Sequence, residues 1–103
     1  MRQLVGNQER MSKLQINLGK RIRLLREAAG YSQESFASHA NIDRAAYGKL
    51  ERGEINLTLL SLARIAVALE IDLSTLFAGV ELVAEEVAAT PRKPRRPKIF
   101  SAR

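Results

Sequence analysis

Between Ser32 and Arg52 two short amphipathic segments are separated only by Asn41 and Ile42, and few folds can use that arrangement. Ser32 is an N-capping residue, and Phe36, Ala37 and Ala40 behind it share the inner face of a helix. Asn41 tolerates the left-handed backbone that a sharp turn needs. Asp43 then caps a second helix through Arg52, whose inner face is Tyr47 and Leu50 at i, i+3. Gly53 ends it. Helices tied this closely must share a core. Ala37 is small where the second helix has to approach, and the apolar Ile42 can plug the gap between them. Arg44, Ala45, Gly48 and Lys49 are left on the outside. Ala45 and Gly48 are small enough there for the backbone to come near the floor of a major groove, although a glycine inside a helix costs about 1 kcal/mol relative to alanine.

The rest of the chain continues the helical reading. Leu18, Ile22 and Leu25 form one stripe of a helix from Leu14 to Ala29, with Gly30 as its stop. Thr58 can cap a helix with Leu62, Ile65, Ala66 and Leu69 on one face. Asp72 can cap a short one containing Leu73, Leu76 and Phe77, with Gly79 after it. Residues 80–89 can add a turn or two. Residues 1–11 are polar and aperiodic, a frayed end. Residues 90–103 contain all three prolines and six Lys/Arg with no acid, a composition that favours a disordered tail. The expected organisation is a flexible 1–11, an all-α domain over 12–79, a helical extension over 80–89 and a basic Pro-rich tail over 90–103. With 103 residues, 46% of them apolar and 5% aromatic, one aliphatic helical core is what the chain can build.

Charge and residue types exclude several function classes. The net charge of +6 divides into +5 over residues 10–52, −5 over 53–89 and +6 over 90–103. A basic first half suits a surface for a polyanion. There is no cysteine, and His39 is the only histidine, so disulfides and the usual metal sites are excluded and no metal or cofactor is expected. His39 is expected at the surface. No nucleophile–base pair or glycine-rich phosphate loop is apparent, and the protein is expected not to be an enzyme. Neither a membrane span nor a secretory leader is visible. A cytoplasmic protein is expected.

From Leu18 to Phe77 the sequence resembles the Cro/CI-type, or XRE-family, helix-turn-helix transcriptional regulators. The resemblance is carried by Ile22-Arg23-Leu24-Leu25-Arg26, Tyr31-Ser32-Gln33-Glu34, Asp43-Arg44 and Leu50-Glu51-Arg52-Gly53-Glu54. It continues from Asn56 through Thr58-Leu59, Leu62, Ile65-Ala66 and Ala68-Leu69 to Leu76-Phe77. Asp43-Arg44 and the Glu-Arg-Gly-Glu ending are similar to controller proteins of restriction–modification systems, and prophage-type repressors share much of the pattern. The resemblance implies a five-helix, lambda-repressor-like domain with the motif at residues 33–52. It also implies a bacterial, nucleoid-associated protein acting as a dimer on a near-palindromic operator, with RNA polymerase as a further partner. Gln33 matches the family's phosphate-contacting glutamine, Arg26 and Glu51 match a structural ion pair, and Leu73, Leu76 and Phe77 match the dimer contact. Arg44 is the expected reader of a guanine edge, Lys49 is expected on a base or a phosphate, and Arg52 and Asn56 on the backbone. With Asn41, Ala45 and Gly48 these complete the DNA-facing set. Two positions depart from the pattern: Asn41 stands where glycine is frequent, and Tyr47 where a β-branched residue is usual. The rival reading is an antitoxin-like module that neutralises a toxin partner through the acidic second half and the tail.

Overall fold

The computed structural model describes residues 12–89. The expected frayed segment 1–11 and basic tail 90–103 lie outside the described residues. Six helices follow in order: α1 Lys13–Ala28, α2 Gln33–His39, α3 Arg44–Glu51, α4 Leu59–Leu69, α5 Leu73–Phe77 and α6 Ala84–Ala89. Among the described residues every regular element is a helix, and none is long and apolar enough to cross a membrane.

The helix starts have one chemical cause. Ser12, Ser32, Asp43, Thr58 and Asp72 each accept, through a side-chain oxygen, the backbone N–H three residues on. Each satisfies an N–H that has no partner inside its own helix. The stops are left-handed residues. Gly30, Gly53 and Gly79 have φ of 87°, 78° and 80°, and Asn41 makes the α2–α3 turn at φ 59°. Glu70 ends α4 at φ 60°, where a glycine would be the unstrained choice.

One aliphatic and aromatic core holds the bundle. Leu18, Ile22, Phe36, Ala37, Ala40, Tyr47, Leu50, Leu62, Ile65, Ala66, Ala68 and Leu76 are buried. Ile42 packs against them, as its place in the turn requires. The Phe36 ring meets the rings of Tyr31 and Tyr47 edge-on, with centroids 5.3 and 5.6 Å away, and Tyr31 stacks on His39 at 5.1 Å. α3 packs on both α1 and α2, while α5 packs on α1 and α4. Arg21 links α1 to α5: its Nη2 donates to the Thr75 carbonyl at 2.8 Å and its Nε to that of Leu76 at 3.3 Å. These carbonyls close α5, and a cation is favoured there.

The α1–α3 approach runs through Gly19. A Cβ added there would lie 2.5 Å from the Glu51 carbonyl oxygen and 2.8 Å from that of Leu50. Backbone cannot yield as a flexible side chain can, so any larger residue must push α3 off α1. Gly19→Ala is expected to destabilise the domain by about 1–3 kcal/mol, the usual cost of overpacking. Denaturant unfolding of the parent and the variant checks this.

Candidate nucleic-acid interface

α3 is anchored from one side. Tyr47 and Leu50 are buried, while Arg44, Ala45 and Lys49 are exposed and Gly48 is half-buried. With Ser32, Gln33, Glu34, Asp43 and Arg52 these outward residues line one concavity between the start of α2 and the outer face of α3. The Arg44 side chain, 72% exposed, pairs through Nη1 with Glu34 Oε2 at 3.0 Å. Arg52 Nε pairs with Glu54 Oε2 at 2.9 Å. Exposed pairs of this kind contribute about 0–1 kcal/mol and can exchange partners at little cost. A Cβ on Gly48 would meet only Arg52 Nη1, at 3.4 Å, so the domain itself leaves room for a side chain at that position.

Behind α3 lies a buried polar cluster. Arg26 donates from Nε to Glu51 Oε2 at 2.7 Å and from Nη2 to Oε1 at 3.1 Å, and its Nη1 donates to the Tyr31 carbonyl at 2.7 Å. Gln33 Nε2 donates to Glu51 Oε1 at 2.9 Å, and the Tyr47 hydroxyl donates to Oε2. Burial alone would raise the Glu51 pKa, but the hydrogen bonds from Arg26, Tyr47 and Gln33 outweigh it and hold the carboxyl below its ordinary range. Burial first, and then the hydrogen bond to Glu51, push the Tyr47 hydroxyl above its ordinary range, and the hydrogen bond to Glu51 raises Arg26. No buried side-chain nitrogen or oxygen among the described residues lacks a partner.

The structure sorts the expected site residues. Gln33, Arg44, Ala45, Gly48, Lys49 and Arg52 share the concavity, whereas Asn41 and Asn56 do not line it. Asn41 makes the turn. The Gln33 side-chain amide is held by Glu51, which corrects the expectation of an uncommitted phosphate ligand. Arg26 and Glu51 form the ion pair that the resemblance implied. Leu76 is 0% exposed and belongs to the core, so it is removed from the expected dimer patch. Leu73 and Phe77, at 37% and 39% exposed, remain at the surface. Sequence reasoning missed Glu34 as the partner of Arg44, Gly19 as the contact point of α3, and the Tyr47 hydroxyl. Only the last had a local signal, the i, i+4 spacing of Tyr47 and Glu51.

Two short helices across a left-handed turn, with the second anchored behind and open in front, define a helix-turn-helix protein. A family model described as Helix-turn-helix matches residues 22–76, and the chain belongs to that family, one of DNA-binding transcription regulators. It is similar to the control protein C.MunI of a Mycoplasma species, 39% identical over 72 residues that make up 69% of this chain and 97% of that protein. Among solved structures it is similar to the restriction-modification controller protein C.AhdI from Aeromonas hydrophila. The TM-score is 0.59 at 40% identity, covering 60% of this chain and 94% of that one. The expected all-α fold and the resemblance to XRE-family controller proteins agree with these findings.

Removing one partner from a buried ion pair strands the other charge. Glu51→Gln is therefore expected to cost about 3–5 kcal/mol at neutral pH. The native carboxyl titrates below its ordinary value of 4.5, so its contribution is present above that value and fades as pH falls through the lowered native value. Urea unfolding across the acid range should show the parent losing more stability below about pH 4.5 than Glu51→Gln loses. Parallel stability curves for the two would remove Glu51 from this role.

Proposed function

We propose that the protein is a sequence-specific transcription regulator that places α3 in the major groove and acts as a symmetric dimer on a near-palindromic operator. The observation that carries this reading is the one-sided anchoring of α3. Its core residues point in, and Arg44, Ala45, Gly48 and Lys49 share an open concave face. Arg44 suits bidentate contact with a guanine edge, and Lys49 suits a base or a phosphate. Arg52, and Asn56 beyond the concavity, suit the DNA backbone, and Asn41 fixes the angle between the helices. Gln33 reaches DNA through its position at the start of α2 while its side chain steadies Glu51. The likeness to C.MunI and C.AhdI favours a controller of a restriction–modification operon over a prophage-type repressor. A regulator of that kind works in the cytoplasm at the nucleoid and meets RNA polymerase at its promoter. Leu73 and Phe77 are the apolar pair through which a second copy would dock.

Selection of binding sites from random DNA at stated salt gives the operator against which variants are measured. Arg44→Ala is expected to lose about 1–3 kcal/mol on that operator and to relax preference at one base position. Gly48→Ala is expected to raise folding stability by up to about 1 kcal/mol while weakening operator binding. Equal retention of selected and scrambled DNA by the parent and the Arg44 variant would refute the assignment.

Phe77→Glu is expected to shift sedimentation toward monomer and to weaken operator binding without lowering helix content. A variant that remains fully dimeric would place the contact elsewhere.

A further inference from the structure

The described domain holds little of the positive charge that a DNA-binding protein needs. Residues 12–89 carry nine Lys/Arg against ten Asp/Glu. On the concave face Arg44 is paired with Glu34 and Arg52 with Glu54. Arg26 is buried on Glu51, and Arg21 is committed to the end of α5. The surplus lies in residues 90–103, with six cations and no acid.

The position of α6 decides where that surplus starts. Glu86 Oε1 accepts the N–H of Lys13, at the start of α1, at 2.7 Å. Lys13 is about 4.5 Å along α1 from Ile16. Ile16 lies against Gly53, the residue that follows α3: a Cβ on Gly53 would be 2.7 Å from the Ile16 Cα. Residue 90 therefore begins within a few helical turns of the end of α3, the end that carries Arg52. Fourteen residues at 3.3–3.6 Å each reach at most about 50 Å, longer than one turn of DNA at roughly 34–36 Å. The C.MunI match takes up 97% of that protein but only 69% of this chain, so nearly a third of this chain has no counterpart there.

Resting on the operator reading above, we propose that residues 90–103 are a second, sequence-independent DNA contact, which neutralises phosphates beside the half-site that α3 reads. Arg92, Lys93, Arg95, Arg96, Lys98 and Arg103 supply the charge. The competing occupant is the chain's own acidic flank around Glu81 and Glu85. Duplex DNA presents about one negative charge per 1.7 Å, a denser array than those scattered carboxylates.

The test uses the full chain with Arg92→Gln, Lys93→Gln, Arg95→Gln, Arg96→Gln, Lys98→Gln and Arg103→Gln combined. None of these touches the domain, and equal thermal melting of variant and parent confirms that. Affinity is measured against salt on two duplexes, the selected operator trimmed to its ends and the same operator with long flanks. On the flanked duplex the variant is expected to bind at least tenfold more weakly at physiological salt. The slope of log K against log salt should fall by up to about 5 per protomer. The trimmed duplex should show little of either change, and the operator-to-scrambled ratio within the trimmed site should stay the same. Equal slopes for parent and variant on the flanked duplex overturn the proposal, as does an equal loss on both duplexes, which marks a diffuse charge effect or a tail held on its own domain. A parent that binds no duplex removes the operator reading itself, whereas specific binding with unchanged slopes removes only the tail.

Discussion

The buried contact between Arg26 and Glu51 decides where α3 can lie. Both oxygens of the Glu51 carboxylate are used, by two guanidinium nitrogens, the Tyr47 hydroxyl and the Gln33 amide. The same guanidinium holds the Tyr31 carbonyl in the loop between α1 and α2. α1, the loop, α2 and α3 thus meet at one carboxylate. The Arg23–Glu27, Arg44–Glu34 and Arg52–Glu54 pairs are exposed and impose no such constraint, because water replaces either partner cheaply. A buried charge without its partner is costly, so α3 cannot rock on its apolar contacts alone. The departure to Tyr47 makes sense here: its ring belongs to the core beside Phe36, and its hydroxyl completes the polar cluster.

Most of the fold was legible because it is set by local chemistry. The caps Ser32, Asp43, Thr58 and Asp72 and the left-handed Asn41 act within a few residues of themselves, and sequence shows such features directly. The core stripes of α1 to α4 follow helical periodicity for the same reason. The end of α4 at Glu70 was not legible, since that residue has none of glycine's tolerance for positive φ and is held there by its surroundings. Periodicity also could not divide Leu73, Leu76 and Phe77. Only the packing of α5 on α1 and α4 shows that Leu76 turns in.

The electrostatics were the least legible part, because charge counted along the chain ignores pairing in space. Residues 10–52 look strongly basic in one dimension. Folded, Arg26 is turned inward, Arg21 serves the end of a neighbouring helix, and Arg44 rests on a glutamate from α2. The contacts of Arg44 and Gln33 link residues ten or more positions apart, and neither has a periodic signature. The outward face of α3 could be read from helical geometry. What its side chains touch in the free protein could not.

The hydrogen bonds from Arg21 to α5 have a mechanical consequence. A continuous path runs from the α5 carbonyls through Arg21 into α1, along that helix to Gly19, and across to the backbone of Glu51 at the foot of α3. No loop interrupts it. The domain is a ruler between the exposed Leu73–Phe77 pair and the outer face of α3. Two copies joined at α5 would inherit a preset spacing between their reading heads, and a DNA site with the wrong separation of its halves would be refused by geometry before any base was examined.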